Sequence, residues 1–74
     1  MRKVAAHRVV TPQGTIAYGL CTIAGDEVVE TRQLQGEEAM VEWMDGSIVC
    51  CEEGPASTLR AYHNQQMLKE EILE

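Results

Sequence analysis

Phenylalanine is absent from this 74-residue chain, and aromatic rings other than histidine are confined to Trp43, Tyr18 and Tyr62. Aromatic side chains bury the most area per residue, so a core made from Val, Ile, Leu, Met and Ala is expected to be thin. Basic residues are also scarce. Six Lys and Arg against twelve Asp and Glu leave a net charge of −6, which repels phosphate backbones and anionic lipid surfaces. Apart from the Arg2-Lys3 pair the basic side chains are scattered (Arg8, Arg32, Arg60, Lys69) and form no stripe, so nucleic acid is not expected as a partner. No apolar run is long enough for a signal peptide or a membrane span, so a membrane is not expected either. Three cysteines are an odd number, where a framework of structural disulfides wants an even one. A reducing, cytoplasmic setting is therefore expected, with Cys21 as a small buried apolar residue.

What is present fits one domain spanning 1–74. A chain of this length buries only somewhat more than about 60% of its unfolded surface, so its stability is marginal unless association adds to it. Lys3 to Val10 reads as a first strand, and Thr11-Pro12-Gln13-Gly14 supplies a turn. Thr15 to Ile23 alternates Ile16, Tyr18 and Leu20 against Ala17, Gly19, Cys21 and Ile23, which predicts a strand covered on both faces. The small Ala17 and Gly19 leave room for a bulky element on their side, the C-terminal helix being one candidate. After the turn Ala24-Gly25-Asp26-Glu27, Val28 to Leu34 begins apolar and runs out into polar residues. Residues 37–44 fit either the first turn of a short helix or a strand. The Asp-Gly pair that follows favours the strand, because Asp45-Gly46 between two apolar runs has the chemistry of a two-residue hairpin. Ser47 to Glu52 is then the last strand.

Beyond Gly54-Pro55 the chain reads as a helix over about 56–72, with Pro55 suited to a helix start and Ser57 to a cap. On a helical wheel Leu59, Tyr62 and Leu73 gather on one side, and Ala61, Leu68 and Ile72 nearly opposite. Two stripes imply two contacts, one with the sheet and one with a second copy. The expected fold is thus α+β, a mainly antiparallel or mixed sheet or half-barrel of four to five strands within 3–52, followed by one C-terminal helix.

Reactive chemistry is not apparent. Cys50 and Cys51 lack the spacing of a zinc pair, and neighbours on a strand point to opposite faces. Glu52 and Glu53 disfavour a thiolate nucleophile. His7 and His63 have no ligand-like partners in sequence, and the carboxylate pairs Glu37-Glu38, Glu52-Glu53 and Glu70-Glu71 read as solvated surface. No catalytic residue, cofactor or metal ligand is assigned, and an enzyme is not expected. The expected function is self-association, a homodimer first, with Trp43, Met44, Leu59, Tyr62, Leu68 and Ile72 as candidate interface residues. The alternative is an accessory module docking on another protein, in which Trp43 and Met44 face the partner and are not part of the core. Set against a partner-facing Trp43 is the reading in which it is the main core aromatic.

The segments His7-Arg8-Val9-Val10-Thr11-Pro12-Gln13-Gly14, Gly19-Leu20-Cys21-Thr22-Ile23, Gly25-Asp26-Glu27-Val28-Val29-Glu30 and Asp45-Gly46-Ser47-Ile48-Val49 resemble the N-terminal β subdomain of the amidohydrolase superfamily over roughly residues 4 to 50. That family continues with Pro-Gly and a His-x-His metal pair, where this chain has Cys50-Cys51-Glu52-Glu53-Gly54-Pro55. The resemblance implies the β framework without the catalytic barrel, and a metal-dependent hydrolase as one kind of docking partner.

Overall fold

The computed structural model describes residues 1–36 and 38–70. They form an all-β half-barrel of six strands: β1 Arg2–Thr11, β2 Gly14–Ala24, β3 Glu27–Gln33, β4 Val41–Glu53, β5 Thr58–His63 and β6 Gln66–Leu68. The spatial order is β3-β2-β1-β4-β5-β6. Every neighbouring pair is antiparallel except β1 with β4, which run parallel. Among the described residues no helix is long and apolar enough to cross a membrane.

The first three strands follow directly from local chemistry. A two-residue loop at Pro12-Gln13 joins β1 to β2, with Thr11 paired to Gly14 and the Thr11 Oγ1 donating to the Gly14 carbonyl at 2.8 Å. Gly25, at φ 64°, turns β2 into β3.

The α+β expectation is overturned in two places. The segment read as a helix is the β5–β6 hairpin, turned at Asn64-Gln65 with both residues at positive φ (52° and 69°). Apolar positions falling on opposite sides of a helical wheel are what a period of two produces, because successive strand residues face opposite ways. Leu59 and Ala61 accordingly point inward while Arg60 and Tyr62 do not. Gly54 and Pro55 belong to a turn closed by the Ser57 N–H donating to the Gly54 carbonyl at 3.1 Å, with Gly54 at φ 77°. Glu37, Glu71, Ile72, Leu73 and Glu74 lie outside the described residues.

The second correction concerns Asp45-Gly46, which makes no hairpin. β4 runs straight through it, and the parallel register with β1 slips from Ala6↔Met44 to Arg8↔Ser47. One extra residue on β4 makes this a β-bulge, and Gly46 takes the positive φ, 85°, that the bulge needs. A Cβ there would meet nothing within 4 Å, so the preference for glycine is conformational. The bulge carbonyl of Asp45 accepts a hydrogen bond from His63 Nε2 at 2.6 Å, which ties β5 to the bulge and places the ring proton on Nε2.

Two more irregularities lie at the same level. Tyr18, between the pairs Ala6↔Gly19 and Arg8↔Ala17, has φ 52°. In β1 the inward-facing set passes from Val4 and Ala6 to Val9, and in β2 from Cys21 and Ile23 to Ile16, so the alternation slips by one. The sheet is bent here, and its two limbs fold over a common interior. Val4, Ala6, Val9, Cys21, Ile23, Val28, Ile48, Cys50, Ala61 and Leu68 meet in that interior, with Ile16, Met44 and Leu59 packed against them. Gly19 sits in the corner: a Cβ on it would lie 2.6 Å from Val9 Cγ2. The room foreseen beside Gly19 is thus taken by Val9 and not by a helix. Arg60 of β5 reaches Asp26 in the β2–β3 turn at 3.5 Å and Glu53 at 3.6 Å, bracing the open side.

A second, smaller buried layer lies on the outside. Ala5 and Leu20 are fully buried yet stand outside the interior cluster. Register places them on one face with Lys3, Thr22, Arg32, Val41 and Trp43. The β3–β4 connection crosses this face, anchored by the Leu34 N–H to the Tyr18 carbonyl at 2.8 Å and by a two-pronged Arg32–Glu38 pair at 2.6 and 2.8 Å.

Candidate interaction surface

The bend that shapes the interior also assembles an aromatic group outside it. His7 meets Trp43 edge-on at a centroid distance of 4.8 Å and Tyr18 at 5.5 Å, and the Tyr18 and Trp43 rings are 6.3 Å apart. Trp43 is 46% and Tyr18 55% exposed, so the expectation of Trp43 as the main core aromatic is overturned. No Trp or Tyr belongs to the interior cluster. Each member is placed by a different strand. Ala5↔Trp43 pairing sets Trp43 beside β1, the Pro12-Gln13 loop aligns His7 with Tyr18, and Tyr18 itself has a left-handed backbone at φ 52°.

Positive φ in a bulky residue costs on the order of 1–3 kcal/mol and concentrates at functional positions. An adjacent shallow hollow, lined by Leu34, Gly36, Glu38, Val41 and Trp43, extends the surface onto the crossover connection. Arg8 and Asp45, both exposed, flank the group along β1 and β4.

The predicted interface residues are dispersed. Trp43 belongs to the exposed group. Met44, its neighbour, points the other way and packs on the interior cluster, as does Leu59. Leu68 is buried in that cluster. Tyr62 lies on the outer side of β5, where its hydroxyl donates to Glu53 at 2.6 Å; that bond, with partial desolvation, pushes the phenol above its ordinary value. Ile72 falls outside the described residues. The structure thus brings His7 and Tyr18, not Met44, Leu59 or Tyr62, to Trp43. The His7–Tyr18 pairing was available from the loop length alone. Trp43 reaches them through a parallel pairing that no local signal announces.

The connection beside this surface carries a pH-sensitive clasp. Hydrogen bonds from Arg32, then from the Gln35 N–H at 3.0 Å, hold the Glu38 carboxyl down at about 2, below its ordinary 4.5. A carboxylate with a depressed folded-state pKa contributes stability above its unfolded value and loses it as pH falls through the folded one. The Glu38 contribution is therefore full at neutral pH and vanishes between about 4.5 and 2. Glu42 beside Arg2, and Glu70 beside the terminal ammonium, are shifted the same way. The thermal midpoint is expected to fall from pH 6 to pH 3, and Glu38→Gln to flatten part of that fall. An unchanged slope in the variant would remove Glu38 from the account.

Compared with family models, curated proteins and solved structures, the chain matches none.

Proposed function

We propose that the protein is a non-catalytic module that works by self-association, with the His7–Tyr18–Trp43 surface as the contact between two copies. The observation that carries this reading is the exposure of the single Trp and of Tyr18, in a chain whose interior cluster holds no Trp or Tyr. Those side chains would bury the most area in a chain whose largest fully buried side chains are Leu20, Ile23 and Ile48.

A second copy is the occupant that fits best. The chain as a whole repels itself at −6, but this patch is flanked by Arg8 and Asp45, charges of opposite sign. A two-fold arrangement sets each against its complement across the interface. Association also supplies the burial that a domain of this size lacks. Three free cysteines fit a reducing compartment, and we place the protein in the cytoplasm.

Light scattering after size exclusion at tens of micromolar tests the reading. The expected mass is twice the 8.2 kDa of one chain, and Trp43→Ala is expected to return it to one. Tryptophan emission should shift to the red on dilution as Trp43 meets water. A wild-type monomer at these concentrations refutes self-association, and would leave docking on a different protein, a hydrolase of the resembled kind included, as the use of the same surface.

A further inference from the structure

Cys21 and Cys50 are both buried. Cys21 lies on β2 in one limb of the bent sheet, Cys50 on β4 in the other, with β1 between them in the strand order. Their sulfurs nevertheless stand 3.7 Å apart inside the interior cluster, although the residues are 29 positions apart in sequence. In a flat sheet, strands two places apart are separated by about 9–10 Å. Only the fold of one limb over the other brings these thiols together.

We propose that Cys21 and Cys50 form a reversible redox site, oxidised by a small hydroperoxide to a disulfide that staples the two limbs across the interior. The size of the oxidant follows from burial, since Cys21 is 0% and Cys50 4% exposed. Hydrogen peroxide is little larger than water, whereas a glutathione disulfide has no room beside either sulfur.

The order of events follows from the same geometry. Cys50 is the less enclosed of the two residues, and either thiol can donate its S–H to the other across 3.7 Å; that contact favours ionisation at Cys50 and, with burial, pushes the Cys21 thiol up. Cys50 attacks the peroxide, breaking the O–O bond to give a sulfenic acid and hydroxide. Cys21 then attacks that sulfur, the S–O bond breaks, and the released oxygen leaves as water. Overall two thiols and one hydrogen peroxide yield one disulfide and two waters. The sulfurs must approach by about 1.7 Å to reach the 2.03–2.05 Å of a disulfide bond. Reduction by a dithiol reverses the reaction.

Cys51 provides the internal comparison, because it is half-buried on the opposite face of β4 and has no thiol partner. The test uses the full chain carrying Cys51→Ser, treated with hydrogen peroxide in native buffer, quenched, unfolded and alkylated. The expected result is a chain with no link to a second chain, 2 Da lighter than the reduced, unalkylated protein and refractory to alkylation, with both remaining thiols lost together and both restored by dithiothreitol. Its thermal midpoint is expected to rise by roughly 10–20 °C for a loop of this length. Wild type, treated in parallel, should retain a third thiol that does not enter the bridge.

Oxidation of Cys50 to a sulfinic acid without loss of the Cys21 thiol would overturn the proposal. So would a disulfide that joins two chains, or one that forms only in denaturant. Folding of the variant is checked beforehand by its midpoint in the reduced state. If that is lowered, the wild-type experiment decides alone, by tandem mass spectrometry that places the link at Cys50 or Cys51.

Discussion

Gly19→Ala is expected to destabilise the protein by about 2–3 kcal/mol, close to the limit for overpacking by a single methyl. The added Cβ would lie 2.6 Å from Val9 Cγ2 and 2.7 Å from Val9 Cβ. The second of these is the branch point of a stiff side chain that cannot swing away. Backbone freedom is not the issue, as Gly19 is absent from the positive-φ positions. Space at the inner corner of the bend is. A 74-residue domain has a total stability of roughly 4–11 kcal/mol, so the loss would lower the thermal midpoint by roughly 10–20 °C.

A rescue makes the cause testable. Val9→Ala alone leaves a cavity in the interior and should cost about 1–3 kcal/mol. In the double variant the new methyl occupies part of that cavity, and the combined loss should fall short of the sum by about 1 kcal/mol or more. Strict additivity would show that the corner is not where Gly19 matters.

Leu20→Ala carries the other large effect, about 2–4 kcal/mol for a fully buried leucine. Its interest lies in which part of the molecule loosens. Leu20 faces the crossover and not the interior, so its loss should accelerate amide exchange at Leu34, whose N–H holds the connection to Tyr18. Ile48→Ala, of comparable cost, removes an interior contact and should leave Leu34 exchanging with the global opening only. Identical patterns in the two variants would mean that the outer layer has no independent stability. Either way the comparison separates two buried layers that a single midpoint would merge.

These experiments also mark what the sequence discloses. The turns at Thr11–Gly14 and Gly25-Asp26, and the three strands around them, rest on chemistry within a few residues of each other, and they are legible. Asp45-Gly46 signals a position that needs positive φ, but a bulge satisfies that need as well as a hairpin does. Which of the two forms depends on whether β1 lies alongside, a contact across some forty positions. In Thr58–Leu68 the two opposite apolar stripes were the mark of a strand period. Pro55 and Ser57, with the chemistry of a helix start, obscured it. The exposure of Trp43 was not legible because alternation distinguishes two faces without saying which is inside. An interior closed by small residues, with the one tryptophan outside it, runs against the usual assignment of aromatics to cores. Tyr18 was legible as the partner of His7 and illegible as a strained residue, since nothing local in Ala17-Tyr18-Gly19 asks for φ 52°.

The parallel pairing of β1 with β4 has a kinetic consequence. β1 is the central strand, and its first neighbour arrives through a two-residue loop; its second, at Lys3↔Val41, must come from the other half of the chain. Hairpins such as β1–β2 form within microseconds, but closing a loop of that span meets most of its entropic cost before any contact compensates it. The protein should therefore fold as a three-strand meander that waits, one edge of β1 uncovered, for the second half to dock. During that wait the exposed edge belongs to the strand that later lies deepest, which makes it the segment where mispairing between chains would begin.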